Sequence, residues 1–277
     1  MVVKMLEIIL DEFHPSTLWN GGIFIFSAFA IIIYFLLLPS SKSHSIWKSM
    51  AFLAGIAALY AALGSPLNII GRIKFSTHII QVILLYLIAP PLFIVGFKNE
   101  IFNQVKQVNI LDNLINVMTK PVVAMSTFYL LFYGYHVPAI FSYSRLDLYL
   151  NYFVLLIIFI AAILIWIPIL KPGKLSDKQK LIYGLVNILL MIPYSIFLLM
   201  AKEGIYSLYT DIDLFMSSLV VCLPDAEYLT PEFYQSLLPF DPVAEQQKGG
   251  ILLLISQIVI FTVGTFAGTK IKKRNKP

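Results

Sequence analysis

Charge is what this sequence has least of. Asp, Glu, Lys and Arg make up 13% of its 277 residues, where soluble domains carry about 25%. With 59% hydrophobic residues and a mean hydropathy of +0.84, the shortage argues against a soluble domain and for a membrane protein. Cysteine is almost missing. Cys222 stands alone, so an intramolecular disulfide and a CxxC motif are both excluded. There is no phosphate-binding Walker pattern, no GxSxG and no HExxH, so the chain is not expected to be an enzyme. The opening stretch MVVKMLEIILDEFHP has no small-residue cleavage site, and no cleavable signal is expected from it.

Long apolar runs are what is there. Seven stretches reach the ~20 residues that a spanning helix needs: 19–38, 46–64, 76–97, 122–141, 148–170, 181–201 and 250–269. They predict an all-α polytopic membrane protein of seven transmembrane helices, one integral membrane domain over 1–277. The loops alternate in charge. Loops 39–45, 98–121 and 171–180, the tail 270–277 and Lys48 hold 14 of the 20 basic residues and 3 of the 15 acidic ones. The opposite set, 1–18, 65–75, 142–147 and 202–249, holds 6 basic and 12 acidic residues. Lys and Arg stay on the cytoplasmic side, which predicts the N-terminus outside and the C-terminus inside. The basic pI near 9.1 follows from this sorting, and no nucleic-acid partner is expected.

The long loop 202–248 then lies outside. Its apolar piece LFMSSLVVCL, 214–223, is too short to span and is expected at the interface or re-entrant. Thr230-Pro231-Glu232 reads as a helix start, as do Ser176 with Gln179 in a capping-box pattern and Ser144 through Asp147. Pro90-Pro91 and Pro193 are expected to bend their helices. GTFAG, 264–268, suits close helix packing within the chain.

Polar residues in apolar segments carry the functional signal. His78 and Gln81 share a helix face at i and i+3. With His136 at the outer end of the fourth segment, His14 in the N-terminal stretch and Glu245-Gln246-Gln247 before the seventh, three of the four histidines fall on one side. One reading is a copper site or haem contact built on His78 and His136, with His14, Met216 and Cys222 as helpers. The other is a pair of interface histidines bonded to helix ends or water. Gln81, Glu245, Gln246 and Gln247 are candidate interaction residues.

Two membrane classes are argued against. A retinal protein needs a lysine inside the last helix, and none lies between Lys248 and Lys270. Proton-coupled transporters place carboxylates near mid-membrane, and the helix middles here hold almost none.

Five stretches in order, FSTHIIQVILLYLIAPPLFIVG, YGYHVPAIF, WIPIL, MIPYSIFLLMAKEGIYSLYT and DPVAEQQKGGILLL, resemble the multi-spanning CtaG family of cytochrome c oxidase assembly factors of Gram-positive bacteria, as a divergent member. The resemblance covers about residues 20–270. It implies a multi-pass plasma-membrane protein that helps to form an active haem-copper oxidase, handling copper at the outer face, with oxidase subunits and the lipid bilayer as partners. His78, Gln81, His136, Gln246 and Gln247 fall on matching positions. Three histidines of the family pattern are missing: Val82 follows Gln81 where the family has H-x-x-Q-H, and Tyr149, Asn151 and Tyr152 stand where it carries the pair H-x-x-x-H. The rival readings are a metal or small-molecule permease and a metal-free membrane interaction protein.

Overall fold

The structure is a computed structural model that describes residues 15–40, 44–98, 100, 107–171, 173–220, 230 and 240–274. Among these, every regular element is helical. Besides single turns at Pro15–Leu18 and Ser207–Tyr209, they are in chain order α1 (Gly21–Leu37), α2 (Ile46–Leu63), the short α3 (Leu67–Ile73), α4 (Phe75–Gly96), α5 (Asn109–Met118), α6 (Pro121–Tyr135), α7 (Pro138–Arg145), α8 (Leu148–Leu170), α9 (Asp177–Leu199), α10 (Ile212–Val220) and α11 (Pro242–Arg274). Helices α2, α4, α8, α9 and α11 are each long and apolar enough to cross a membrane. Helices α5 and α6 make a sixth span only if counted as one, with a 73° bend between them, and α1 is apolar but shorter. Each of the seven apolar stretches therefore contains helix, while five or six meet the length and composition of a span.

Local chemistry explains the boundaries. Ser176 and Gln179 form the predicted capping box at the start of α9. Asp147 caps α8 by accepting from the Leu150 N–H at 2.8 Å. Asn20 caps α1 in the same way, accepting from Ile23 N–H at 3.0 Å. The fourth apolar stretch is interrupted. Pro138 disfavours helical backbone at the residue before it, and Val137 is extended at φ −63°, ψ 125°. Helix α6 therefore stops at Tyr135, His136 sits on its end, and the chain turns into α7.

Helix α4 is the centre of the bundle. It packs on α2, α8 and α11, and 61% of its apolar window is buried, against 33% for α2 and 28% for α11. The proline pair is absorbed inside it. Residues Ile83–Ile88 form a π-helical stretch, and the Ala89 N–H reaches back to the Leu84 carbonyl. Pro90 has no N–H for the Tyr86 carbonyl four residues earlier. The buried Trp166 of α8 supplies one instead, its Nε1 donating to that carbonyl at 3.2 Å.

Helix α11 meets α8 through the small residues of GTFAG. A Cβ on Gly264 would stand 2.4 Å from the Trp166 ring, and one on Gly268 2.2 Å from the Ile169 carbonyl oxygen. Phe261 stacks on Trp166 with ring centroids 4.7 Å apart. This is the predicted packing within the chain.

Other expectations change. The stretch 65–75, read as loop, contains α3, and the loop 142–147 begins inside α7. Helix α11 begins at Pro242, which shortens the long loop. Of the apolar piece 214–223, residues up to Val220 belong to α10, which packs on α3 and turns Phe215, Ser218 and Leu219 inward. The helix start expected at Thr230 runs outside the described residues.

Candidate functional site

His78 lies in the first turn of α4 and His136 at the end of α6, and the fold brings them together. Their ring centroids are 5.7 Å apart, and both side chains are buried. Aromatic rings wall the pair. Phe141 lies 5.0 Å from the His78 ring, Tyr194 4.6 Å from the His136 ring, and Tyr135 touches both.

Two arginines join them, and both are fully buried. The Arg145 guanidinium, from the last turn of α7, lies over the Phe141 ring and donates to Nδ1 of His78. Arg72 of α3 donates through Nη1 to the Arg145 carbonyl at 2.7 Å and to the Ser218 carbonyl at 2.9 Å. It thereby ties the carboxyl ends of α7 and α10 to α3. The Arg145 carbonyl belongs to the last turn of α7, where carbonyls lack helical partners, and a cation there is also favoured by the helix dipole.

The hydrogen bonds assign the imidazole tautomers. Two groups meet Nδ1 of His78: the Arg145 guanidinium, which only donates, and the Gln81 Oε1, which only accepts, at 3.4 Å. The Arg145 contact is the closer, so Nδ1 is assigned as an acceptor and Nε2 carries the proton. In His136, Nδ1 lies 2.7 Å from the Phe132 carbonyl. A carbonyl only accepts, so Nδ1 carries the proton and Nε2 the lone pair. Neither Nε2 has a hydrogen-bond partner among the described residues, and the hydroxyls of Tyr86 and Tyr135 have none either. The centre thus offers an unused donor on one imidazole and an unused acceptor on the other.

That arrangement does not fit a copper ion. A metal needs the lone pair of each imidazole, and Nδ1 of His78 is occupied by Arg145 while its Nε2 bears the proton. No group of three or more His, Cys, Asp or Glu side chains able to hold a metal stands together among the described residues. Met216 lies on α10 and lines a surface hollow with Asp213, Ser217 and Val220. His14 and Cys222 lie outside the described residues.

Gln81 extends the centre. Its Nε2 donates to the Ala62 carbonyl at 2.7 Å and to Asn68 Oδ1 at 2.9 Å. Asn68 and Asn20 both point amide donors at the Tyr152 hydroxyl, at 3.5 and 3.1 Å. Tyr152 is one of the three residues that the sequence resemblance sets where a histidine pair is expected. Of its two companions, Asn151 is buried and Tyr149 is 85% exposed.

The Glu245-Gln246-Gln247 run is spent on holding the chain together. Glu245 is buried, bonded by the Ser76 hydroxyl and flanked by Lys74 at 3.6 Å and Lys248 at 2.8 Å. Gln246 accepts from Ile205 N–H at 2.7 Å and donates to the Glu203 carbonyl at 3.0 Å, and Gln247 donates to the Ala201 carbonyl at 3.0 Å. These three residues fasten the chain leaving α9 and the start of α4 to α11.

Sequence reasoning found the histidines and missed the arginines. Arg72 and Arg145 were counted among the outer loop charges. The signal for Arg72 was its place in NIIGRI, a cation among isoleucines. Nothing local marked Arg145.

A family model described as cytochrome c oxidase caa3 assembly factor (Caa3_CtaG) matches residues 31–268. No curated protein and no solved structure matches the chain.

Proposed function

Because this chain belongs to the cytochrome c oxidase caa3 assembly factor family, we propose that it works in the plasma membrane as a multi-pass assembly factor for a haem-copper oxidase, through the buried centre of His78, His136 and Arg145 at its outer side. One observation carries this reading: two buried imidazoles with ring centroids 5.7 Å apart, each with an Nε2 that has no hydrogen-bond partner among the described residues. Buried polar groups are normally satisfied, and polar side chains at membrane depth are costly and mark function by default.

The geometry supports a metal-free form of this role best. The centre is wired as a hydrogen-bond donor and acceptor, with a guanidinium where a chelate would need a lone pair. In this form the chain assists the oxidase through contact with its subunits, and copper reaches the oxidase by another route. The permease reading has less support. The hollow lined by Val122, Ser126, Leu130, Tyr133, Gly134 and Leu190 is an open groove along α6 and α9.

The test is genetic and spectroscopic. Deleting the gene is expected to lower oxidase activity and the haem-copper absorbance of membranes. A His78→Ala/His136→Ala variant present at wild-type abundance is expected not to restore them. Full oxidase activity in the deletion strain would refute the assembly role. Cu(I) loading of purified protein separates the two forms: copper retained by the wild type and lost in the double variant would restore the copper reading.

A further inference from the structure

Helix α5 is amphipathic in a pattern that the bundle does not use. Asn109, Asp112, Asn113 and Asn116 recur at i, i+3, i+4 and i+7 on one side. The opposite side carries Ile110, Leu111, Leu114 and Val117, exposed by 80%, 43%, 56% and 47%. No residue of α5 is buried.

Only one edge of the polar side meets the protein: Asn109, Asn113 and Asn116 are exposed, and Asp112, Ile115 and Met118 are the half-covered residues. Asn116 Nδ2 donates to Asp112 Oδ2 at 2.9 Å, and Lys174, from the loop between α8 and α9, donates to Asn116 Oδ1 at 3.0 Å and to Thr119 Oγ1 at 3.1 Å. The apolar side therefore faces away from that loop. A two-residue break with a 73° bend joins α5 to α6. Helix α5 therefore turns steeply away from the axis of α6, at the end that carries the exposed Lys120, Lys174 and Lys178.

We propose that α5 is an in-plane membrane anchor, with Ile110, Leu111, Leu114 and Val117 seated in the acyl boundary of a leaflet whose anionic headgroups the neighbouring lysines attract. The occupant of the apolar face is lipid. An amphipathic helix at that depth loses exposed apolar area and keeps its polar side at the headgroups, and lysines beside an anionic surface add attraction. So placed, α5 fixes the depth of α6, the helix that ends in His136.

Site-directed spin labelling tests this in the full chain. On a Cys222→Ser background, Leu114→Cys and Asn113→Cys are labelled with a nitroxide and reconstituted in nanodiscs of phosphatidylcholine with phosphatidylglycerol. The label at 114 is expected to be accessible to oxygen and shielded from a water-soluble nickel chelate, and the label at 113 the reverse. Equal nickel access at both positions would overturn the proposal, because α5 would then lie in water. Shielding of 114 from both probes, or dipolar coupling between copies, would overturn it in favour of a protein contact. Nanodiscs of phosphatidylcholine alone are expected to hold the label at 114 less deeply, and an unchanged depth would overturn the role of anionic headgroups.

Discussion

The guanidinium of Arg145 donates to Nδ1 of His78 across 67 residues of sequence, and this contact sets what the His78 imidazole offers to the interior. With Nδ1 taken, Nε2 carries the proton. In His136, Nδ1 is held by the Phe132 carbonyl, which leaves the lone pair on its Nε2. With Arg145 in place, the His136 Nε2 is the one ring nitrogen of the pair left with an unused lone pair among the described residues.

The first prediction concerns that contact. Arg145→Met removes a charged donor from a buried acceptor and is expected to destabilise the protein by roughly 1.5–3 kcal/mol. It also frees Nδ1 of His78, so Cu(I) binding is expected to rise above wild type. Arg145→Lys is expected to restore neither fully, since an ammonium lacks the planar fork of donors. Thermal unfolding in detergent and equilibrium dialysis against Cu(I) measure the two effects. A variant as stable as wild type would show that the contact is not formed.

The second follows from the Trp166 indole on the Tyr86 carbonyl. Trp166→Phe keeps the packing against Phe261 and loses the donor, at an expected cost of about 1–3 kcal/mol. Pro90→Ala returns a backbone N–H four residues after Tyr86, so the two changes together are expected to cost less than their sum. A double-mutant cycle reads this as a coupling of about 0.5–3 kcal/mol. Strict additivity would refute the shared carbonyl.

The glycines of α11 and α6 should behave in opposite ways. At Gly268 a Cβ would meet the Ile169 carbonyl at 2.2 Å, a backbone atom that cannot rotate aside. Gly268→Ala is expected to force α11 from α8 and cost about 1–3 kcal/mol. At Gly134 nothing lies within 4 Å of a Cβ. Gly134→Ala is expected to be neutral or to stabilise by up to about 1 kcal/mol, through better helix propensity. Unfolding midpoints of the two variants in detergent test the contrast, and equal losses would contradict the packing.

A pH dependence is expected at the other end of the bundle. His44 sits between α1 and α2, where its Nε2 lies 2.9 Å from the Tyr34 hydroxyl. Burial, with Lys48 and Lys98 nearby, holds its imidazole below the usual histidine value of 6.5, while Glu100 works the other way. The folded state therefore favours the neutral ring. The stability it contributes is present above the unfolded value and is lost as pH falls below it toward the lower folded value. Between about pH 7 and 5 the midpoint of thermal unfolding is expected to fall more in wild type than in His44→Gln. Parallel profiles would refute it.

What was legible in the sequence was local or compositional. Apolar length and scarce charge placed the chain in a membrane, and Ser176 with Gln179 marked the start of α9 through bonds that span three residues. GTFAG announced a close helix contact because only small side chains allow one. The order of motifs pointed to the family that the match confirms. Such features depend on neighbours within one or two helical turns, and periodicity carries them.

The tertiary structure decided the rest. Whether Arg72 is a loop charge or a buried strut depends on carbonyls 73 and 146 residues away. Gln246 and Gln247 look like a free polar edge until the chain after α9 returns to use them. His78 and His136 were each visible as polar residues in apolar company. That Arg145 turns the pair into one donor and one acceptor depends on the break at Val137–Pro138, which swings α7 back over α4. Burial and tautomer are properties of what surrounds a side chain, and here those surroundings come from α3, α4, α6, α7 and α9.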